Sequence, residues 1–158
     1  MWLVMLLGLA LMAGSAMASD APQESTDKTE GSAPPEPPAA PDYSALNEQL
    51  REQWGIEVVA LRLTAGKQML DFRYRIVDAE KALPITKEEK PYLVDNATGQ
   101  KLPVPVTPKV GALRSSGQQP VNGRIYFMIF ANPSGWVKAG GSVTVVIGET
   151  TIEGLVVQ

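Results

Sequence analysis

The stretch that decides the fold of this chain is residues 70–76, LDFRYRI, in which four apolar side chains alternate with three charged ones. Successive side chains of a β-strand point to opposite sides, so this stretch predicts a strand with one buried and one solvent-facing side. Residues 56–63, IEVVALRL, also have a strand-like pattern, and Ala65-Gly66-Lys67 lies between the two stretches. A short turn containing glycine between two strands predicts an antiparallel hairpin.

The charged side of residues 70–76 is the candidate binding site. It carries Asp71, Arg73 and Arg75, and alternate residues of a strand lie about 6 to 7 Å apart. Two guanidinium groups at that spacing could hold an anionic ligand or an acidic partner. The alternative is that the arginines pair with Asp71 and with carboxylates of a neighbouring strand, as charged residues of sheets routinely do.

Five further stretches have the composition of strands, with Gly- and Pro-containing turns between them: 91–95, 101–106, 124–131, 142–147 and 150–157. Prolines at 103 and 105 predict that the second lies at a sheet edge. The third, RIYFMIFA, is apolar on both sides and predicts a central strand buried between layers. The last two predict a hairpin turning at Gly148-Glu149. We expect residues 78–91, with at most one helical turn, and 107–123 to be loops.

One helix precedes the strands. Leu46, Leu50 and Trp54 recur every four residues, which places them on one helical face. Asp42 or Ser44 is suited to cap its start, and Gly55 to the left-handed position after its end.

These patterns predict a mainly β domain with one short N-terminal helix. Six or seven short strands with Gly/Pro turns favour an antiparallel β-sandwich of the immunoglobulin-like type. A small β-barrel is the alternative, because strand patterns do not show whether a sheet closes.

The N-terminal region predicts export. Residues 1–18 hold a continuous apolar run followed by Ala16-Met17-Ala18, which predicts a signal peptide cleaved before Ser19. The alternative is an uncleaved membrane anchor. Residues 19–42 are rich in proline and contain six acidic residues against one lysine, so we expect a disordered spacer. The folded domain is then 43–158.

The composition excludes several classes of function. With neither histidine nor cysteine, the chain lacks the usual acid–base and metal-binding side chains, so we expect no enzyme, cofactor or metal site. The alternatives are a hard-cation site built from carboxylates and an enzyme that uses only Asp, Glu, Lys, Ser or Tyr. Residues 43–158 hold 13 basic and 11 acidic residues, and that balance does not supply the basic surface that nucleic acid requires.

Two tryptophans suggest a further alternative. Trp136 follows a predicted turn and Trp54 ends the predicted helix. Exposed tryptophans can stack on sugar rings, which would indicate a carbohydrate- or cell-wall-binding module, whereas a Trp at a turn more often packs over the end of a sheet.

The leader, the spacer and the alternating strands together resemble, in architecture, the small exported immunoglobulin-like β-sandwich proteins of Gram-negative bacteria that have no assigned activity. The resemblance covers residues 55–158 and assigns no residue a role. It implies a non-enzymatic accessory or binding module in the periplasm or secreted from the cell. We expect its partner to be another exported or envelope protein, with membrane contact only through residues 1–18 if they stay uncleaved.

Overall fold

The computed structural model describes residues 40–87, 90–115 and 119–158. The predicted leader, and the predicted spacer up to residue 39, lie outside the described residues. The described chain is mainly β, with strands that pair antiparallel. Its elements are α1 (Ser44–Trp54), β1 (Ile56–Thr64), β2 (Met69–Ile76), α2 (Ala79–Lys87), β3 (Tyr92–Asp95), β4 (Lys101–Pro103), β5 (Val106–Thr107), β6 (Gly111–Ala112), β7 (Ile125–Ala131), β8 (Ser142–Ile147) and β9 (Thr150–Val156).

The predicted first hairpin is confirmed. Strands β1 and β2 pair antiparallel, with Leu61 opposite Phe72 and a bulge between Val58 and Ala60. The turn residues Ala65, Gly66 and Lys67 have φ angles of 50°, 64° and 72°. Three consecutive left-handed residues reverse the chain sharply, which only the glycine does without strain.

Strand β2 is the centre of a three-stranded sheet in the order β1-β2-β7. Its apolar row is fully buried, as the alternation predicted, with 0% exposure for Leu70, Phe72, Tyr74 and Ile76. The prediction that residues 124–131 are buried on both sides is wrong. Strand β7 lies last in the sheet. Its side chains alternate between the core and the outside, so only one side of this apolar strand is buried.

The other main sheet has four strands in the order β4-β3-β8-β9. The edge position predicted for the proline-containing strand is confirmed, because β4 comes first in that order. The terminal hairpin of β8 and β9 is confirmed as well. The predicted loop 107–123 is only partly a loop, because β5 and β6 form a small two-stranded sheet and Arg114 bridges to Met128 of β7.

Buried residues of both main sheets belong to one hydrophobic cluster, with Leu61 and Phe72 from one sheet and Leu93 and Val145 from the other. Over the described residues the first and last strands of each sheet are not paired with each other. The sheets are therefore open, and the alternative of a closed small barrel is wrong.

Helix α1 forms as predicted. Leu50 is buried, Leu46 and Trp54 pack against the core, and Gly55 ends the helix with φ 63°. Its start has no side-chain cap at Tyr43, although the Asp42 carboxylate accepts a hydrogen bond of 2.9 Å from the N–H of Ser44.

The loop predicted over 78–91 is wrong, because residues 79–87 form helix α2. The Asp78 carboxylate accepts hydrogen bonds from the N–H groups of Glu80 and Lys81, at 3.1 and 3.2 Å, and so caps the helix. Pro84 lies inside and removes one helical hydrogen bond. Burial of Ala82 and Ile85 offsets that loss, since packing supplies most helical stability in proteins. Over the described part of the chain, neither helix has the length and apolar composition to span a membrane.

At the outer edges of β1 and β9, main-chain groups form hydrogen bonds with residues from other parts of the chain. The side-chain amide of Asn47 donates to the carbonyl of Val58 and accepts from its N–H, at 3.1 and 2.7 Å. Further along β1, Gln158 donates to the carbonyl of Leu61 and accepts from the N–H of Leu63. The Tyr43 hydroxyl donates to the carbonyl of Val156 in β9, at 2.8 Å.

The outer edge of β7 is covered by the segment that follows β6. The N–H of Ile129 donates to the carbonyl of Leu113, and the N–H of Ser115 donates to the carbonyl of Phe127, both at 2.9 Å. Each of the two main sheets therefore has edge positions at which the main-chain N–H or C=O group is already hydrogen-bonded.

Candidate functional site

The predicted site residues lie on the side of the three-stranded sheet that faces away from the core. The strand register places Arg75 between Glu57 and Ile125, Arg73 between Ala60 and Phe127, and Asp71 between Arg62 and Ile129. We call this surface the outer face and define it by Glu57, Arg62, Asp71, Arg73, Arg75, Ile125, Phe127 and Ile129.

Two of the three predicted residues pair with each other. The Nε atom of Arg73 donates to Oδ2 of Asp71 at 2.9 Å. The Asp71 side chain is 15% exposed, whereas that of Arg73 is 49% exposed. The carboxylate therefore fixes one edge of the guanidinium, while the rest of that group remains accessible to solvent.

Arg75 belongs to a second charged group. Its Nη1 atom donates to Oε2 of Glu57 at 3.3 Å, and Nε of Arg51 donates to Oε1 of the same carboxylate at 2.6 Å. Glu57 thus ties α1 to the sheet. The side chains of Arg75 and Arg51 remain 43% and 54% exposed. The prediction of cross-strand charge pairing is confirmed for Arg75 and Glu57, which are directly opposite each other.

Basic groups outnumber acidic ones on this surface. Three arginines of the outer face together with the neighbouring Arg51 face two carboxylates, those of Glu57 and Asp71. Most of these arginine side chains are half exposed, so their attraction for an anion acts over about one Debye length, roughly 8 Å at physiological salt. The carboxylates are 15% exposed but the arginines are about half exposed, so screening by solvent limits what each pair contributes to stability. Their main effect is to orient the guanidinium groups.

An apolar stripe runs beside the arginines. Ile125 and Phe127 are 45% and 42% exposed, and Ile129 of the same strand is half-buried. Because β7 pairs directly with β2, Phe127 is the cross-strand neighbour of Arg73. An exposed phenylalanine between an isoleucine and arginines is the composition of an interface centre, where aromatic residues and arginine are enriched.

Trp54 and Trp136 differ in their exposure to solvent. Trp54 packs against the core, whereas Trp136 is 44% exposed after the turn that follows β7. Among the described residues, no three acidic side chains come together in a way that could hold a metal ion. Burial raises the pKa of Tyr74 well above its usual range, although the nearby positive charge of Arg114 opposes this shift. Tyr74 is part of the core and does not face the site.

Sequence reasoning located the charged row and missed the apolar stripe beside it. The run RIYFMIFA was interpreted as buried on both sides because every residue except the first is apolar. One signal was available, since a strand apolar on both sides needs a layer on each, and the sequence offered only one helix to cover a sheet. The pairing of β7 with β2 joins segments about fifty residues apart, and nothing local in the sequence indicates it.

Comparison of the chain with protein family models, with curated proteins and with solved structures finds no match.

Proposed function

We propose that this chain is a non-enzymatic binding module that docks another protein on its outer face. The observation that carries the proposal is the adjacency of Phe127 and Ile125, both exposed, to the guanidinium groups of Arg73 and Arg75. An exposed aromatic residue on an otherwise well-packed sheet loses the stabilisation that burial would give, which is about 25 cal/mol for each Å² of apolar surface. A partner that covers it recovers that free energy.

The partner has an apolar centre with carboxylates at its rim. Its apolar groups would cover Ile125 and Phe127, and its acidic groups would pair with Arg73 and Arg75. The bonds to Asp71 and Glu57 already hold both arginines in place, so less side-chain entropy is lost on binding. A flat sheet face suits a protein surface better than a small ligand, which needs a concave site to bury most of its own surface.

We further propose that the module acts outside the cytoplasm. The support is the sequence alone: the apolar residues 1–18 with a small-residue site at Ala16-Met17-Ala18, followed by the proline-rich acidic residues 19–42. A mature protein that begins at Ser19 would be released into the periplasm or medium, and an uncleaved one would be tethered to the membrane. The intact mass of the protein purified from its native host distinguishes the two.

The fold we propose for the module is a β-sandwich of the immunoglobulin-like type. What supports it is the single hydrophobic cluster to which both open sheets contribute, together with the antiparallel pairing of both. An experimental structure in which the two sheets cross at about −30°, as in aligned sandwiches, would establish the proposal. A crossing angle near 90° would contradict it.

The test of the docking surface uses site-specific photocrosslinking in the native host. A photoreactive amino acid replaces Phe127 in one strain and Thr151, an exposed residue of β9, in a second strain. We expect one dominant adduct from position 127 and none from position 151. The adduct identifies the partner, which is then purified for titration.

The titration compares the unmodified chain with Phe127→Ser and with Arg73→Glu/Arg75→Glu. Both variants should lose at least about tenfold in affinity, as interface centres that contain an aromatic residue and arginines do. Raising the salt concentration should weaken binding of the unmodified chain and have less effect on the double variant. Lys138→Glu, which changes an exposed lysine outside the sheets, is the matched control and should bind normally. Equal affinities for all four proteins would refute the proposal.

A carbohydrate- or cell-wall-binding module is the second candidate. The observation that favours it is the 44% exposure of Trp136, because an accessible indole can stack on a sugar ring. Binding to a glycan array that is lost in Trp136→Ala and kept in Phe127→Ser would favour this candidate over protein docking.

A further inference from the structure

A concave surface lies on the four-stranded sheet, on elements other than those that form the outer face. It is a cavity of about 410 Å³ beside the β4 edge, lined by Lys90, Pro91, Tyr92, Lys101, Pro103, Val104 and Val106. Its size is within the usual range for ligand sites. We call it the β4 groove.

The walls of the β4 groove are apolar and include an aromatic ring. Strand pairing places Tyr92 directly opposite Pro103, so the phenol ring and the pyrrolidine ring stand side by side. Val106 continues the apolar wall into β5 and is 75% exposed. Such walls contact a ligand through surface complementarity, because proline and valine side chains offer no hydrogen bonds.

The main chain beside the groove is poorly suited to pair with an added strand. Pro103 and Pro105 have no N–H group, so this short edge lacks two donors that a β-ladder would need. An extended ligand is therefore recognised through its side chains rather than by strand addition. The polyproline conformation meets this condition, because it has no internal hydrogen bonds and is commonly bound in grooves lined by aromatic residues.

The positive charge of the groove favours extended ligands that carry acidic residues. Lys90 and Lys101 are its charged lining residues, and the Nζ atom of Lys101 lies 5.0 Å from the centre of the Tyr92 ring. The lysine ammonium thus lies over the Tyr92 ring, beside the Pro103 ring on which a proline of the ligand would also pack. An acidic residue next to the prolines of a ligand would come within reach of the Lys101 ammonium group.

We propose that the β4 groove binds an extended, proline-containing acidic segment of another protein. The prolines pack on Tyr92 and Pro103, and a carboxylate of the ligand pairs with Lys101. This interaction is independent of docking on the outer face, because the two surfaces have no residue in common.

The experiment is a fluorescence-anisotropy titration with a labelled synthetic peptide, Pro-Pro-Glu-Pro-Pro-Glu-Pro-Pro. It uses the full chain and its Glu36→Lys variant, because residues 34–38 of the chain, Pro-Pro-Glu-Pro-Pro, have the same sequence as part of the peptide and could compete with it. We expect a dissociation constant on the order of 10 μM to 1 mM, as for short peptides that bury little surface. A second peptide with lysine in place of glutamate should bind at least about fivefold more weakly, because it meets like charges. Loss of this difference at high salt is expected as well.

Four variants assign the binding to the groove. Tyr92→Ala and Lys101→Glu should each weaken binding of the acidic peptide at least about fivefold, whereas Lys138→Glu should change it by less than about twofold. Tyr92→Phe keeps the ring and should bind normally, which separates loss of the aromatic surface from loss of fold. Absence of binding by both the unmodified chain and Glu36→Lys would overturn the proposal. So would equal binding of the two peptides, or equal affinities for Lys101→Glu and Lys138→Glu.

Discussion

At the scale of single residues, Gly55 shows how one position joins two helices. It ends α1 in the left-handed conformation, and its carbonyl accepts hydrogen bonds from the N–H groups of Val77 and Asp78. A Cβ atom at this position would lie 2.5 Å from the carbonyl oxygen of Asp78 and 2.9 Å from Cβ of Lys81. Both the backbone conformation and the close approach of α2 therefore require glycine.

We predict that Gly55→Ala lowers the free energy of unfolding by about 2 to 4 kcal/mol, the sum of a left-handed penalty and overpacking. The matched control is Gly154→Ala. Gly154 has a φ of 74° and no atom within 4 Å of the added Cβ, so its variant should lose only about 1 to 2 kcal/mol. Urea denaturation measures both, and equal losses would show that the contact with α2 is unimportant.

Tyr74 makes the stability of the fold sensitive to alkaline conditions. Burial raises the pKa of its phenol above the usual value, so the folded chain keeps a proton that the unfolded chain releases above about pH 10. This contribution to stability is complete below that pH and is lost as the pH rises further, by about 1.4 kcal/mol for each pH unit. Among the described residues its hydroxyl has no hydrogen-bond partner.

We therefore predict two results for Tyr74→Phe. At neutral pH the variant should be at least as stable as the unmodified chain, because the lost hydroxyl was buried without a partner. Between pH 10 and about 11.5 its stability should fall less steeply than that of the unmodified chain. Denaturation midpoints across this range test both statements, and parallel pH profiles would show that Tyr74 ionises as freely in the folded chain as in the unfolded one.

At the scale of elements, the sequence predicted correctly those strands and helices whose formation depends on neighbouring residues. The alternation in residues 70–76 identified β2 and its buried side, and the Leu46/Leu50/Trp54 spacing with Gly55 identified α1. Helix α2 could not be predicted in this way, because Pro84 argues against a helix and the burial that offsets it depends on the rest of the fold. The same limit applies to the candidate site. Arg73 and Arg75 follow from alternation, whereas the exposure of Phe127 follows from strand order.

The capping residue of α2 provides the test at this scale. We predict that Asp78→Ala lowers the free energy of unfolding by about 1 kcal/mol, because the N–H groups of Glu80 and Lys81 lose their acceptor. Asp78→Asn keeps an oxygen acceptor and should lose much less. Chemical denaturation of the two variants, compared with the unmodified chain, decides the matter. If Asn and Ala prove equally harmful, the charge of Asp78 matters more than its hydrogen bonds.

At the scale of the whole molecule, the buried apolar residues of the described ranges extend from Tyr43 to Val157. We predict that residues 43–158 alone fold with one cooperative thermal transition and a β-type far-ultraviolet circular dichroism spectrum. The melting temperature should match that of the full chain within about 2 °C, since a change of 1 kcal/mol shifts it by about 4 to 8 °C in a domain of this size. A lower melting temperature would show that residues before Tyr43 stabilise the domain.

The covered sheet edges have a consequence for how the molecules behave in crowded solution. An open strand edge is a template on which further chains add, and successive additions build the stacked strands of a fibril. On β1 that template is interrupted by the Asn47 amide and by Gln158, on β9 by the Tyr43 hydroxyl, and on β4 by the ring of Pro103. We therefore expect the side chain of Asn47 to oppose the addition of further chains at β1, an effect that a measurement of folding stability in dilute solution would not reveal.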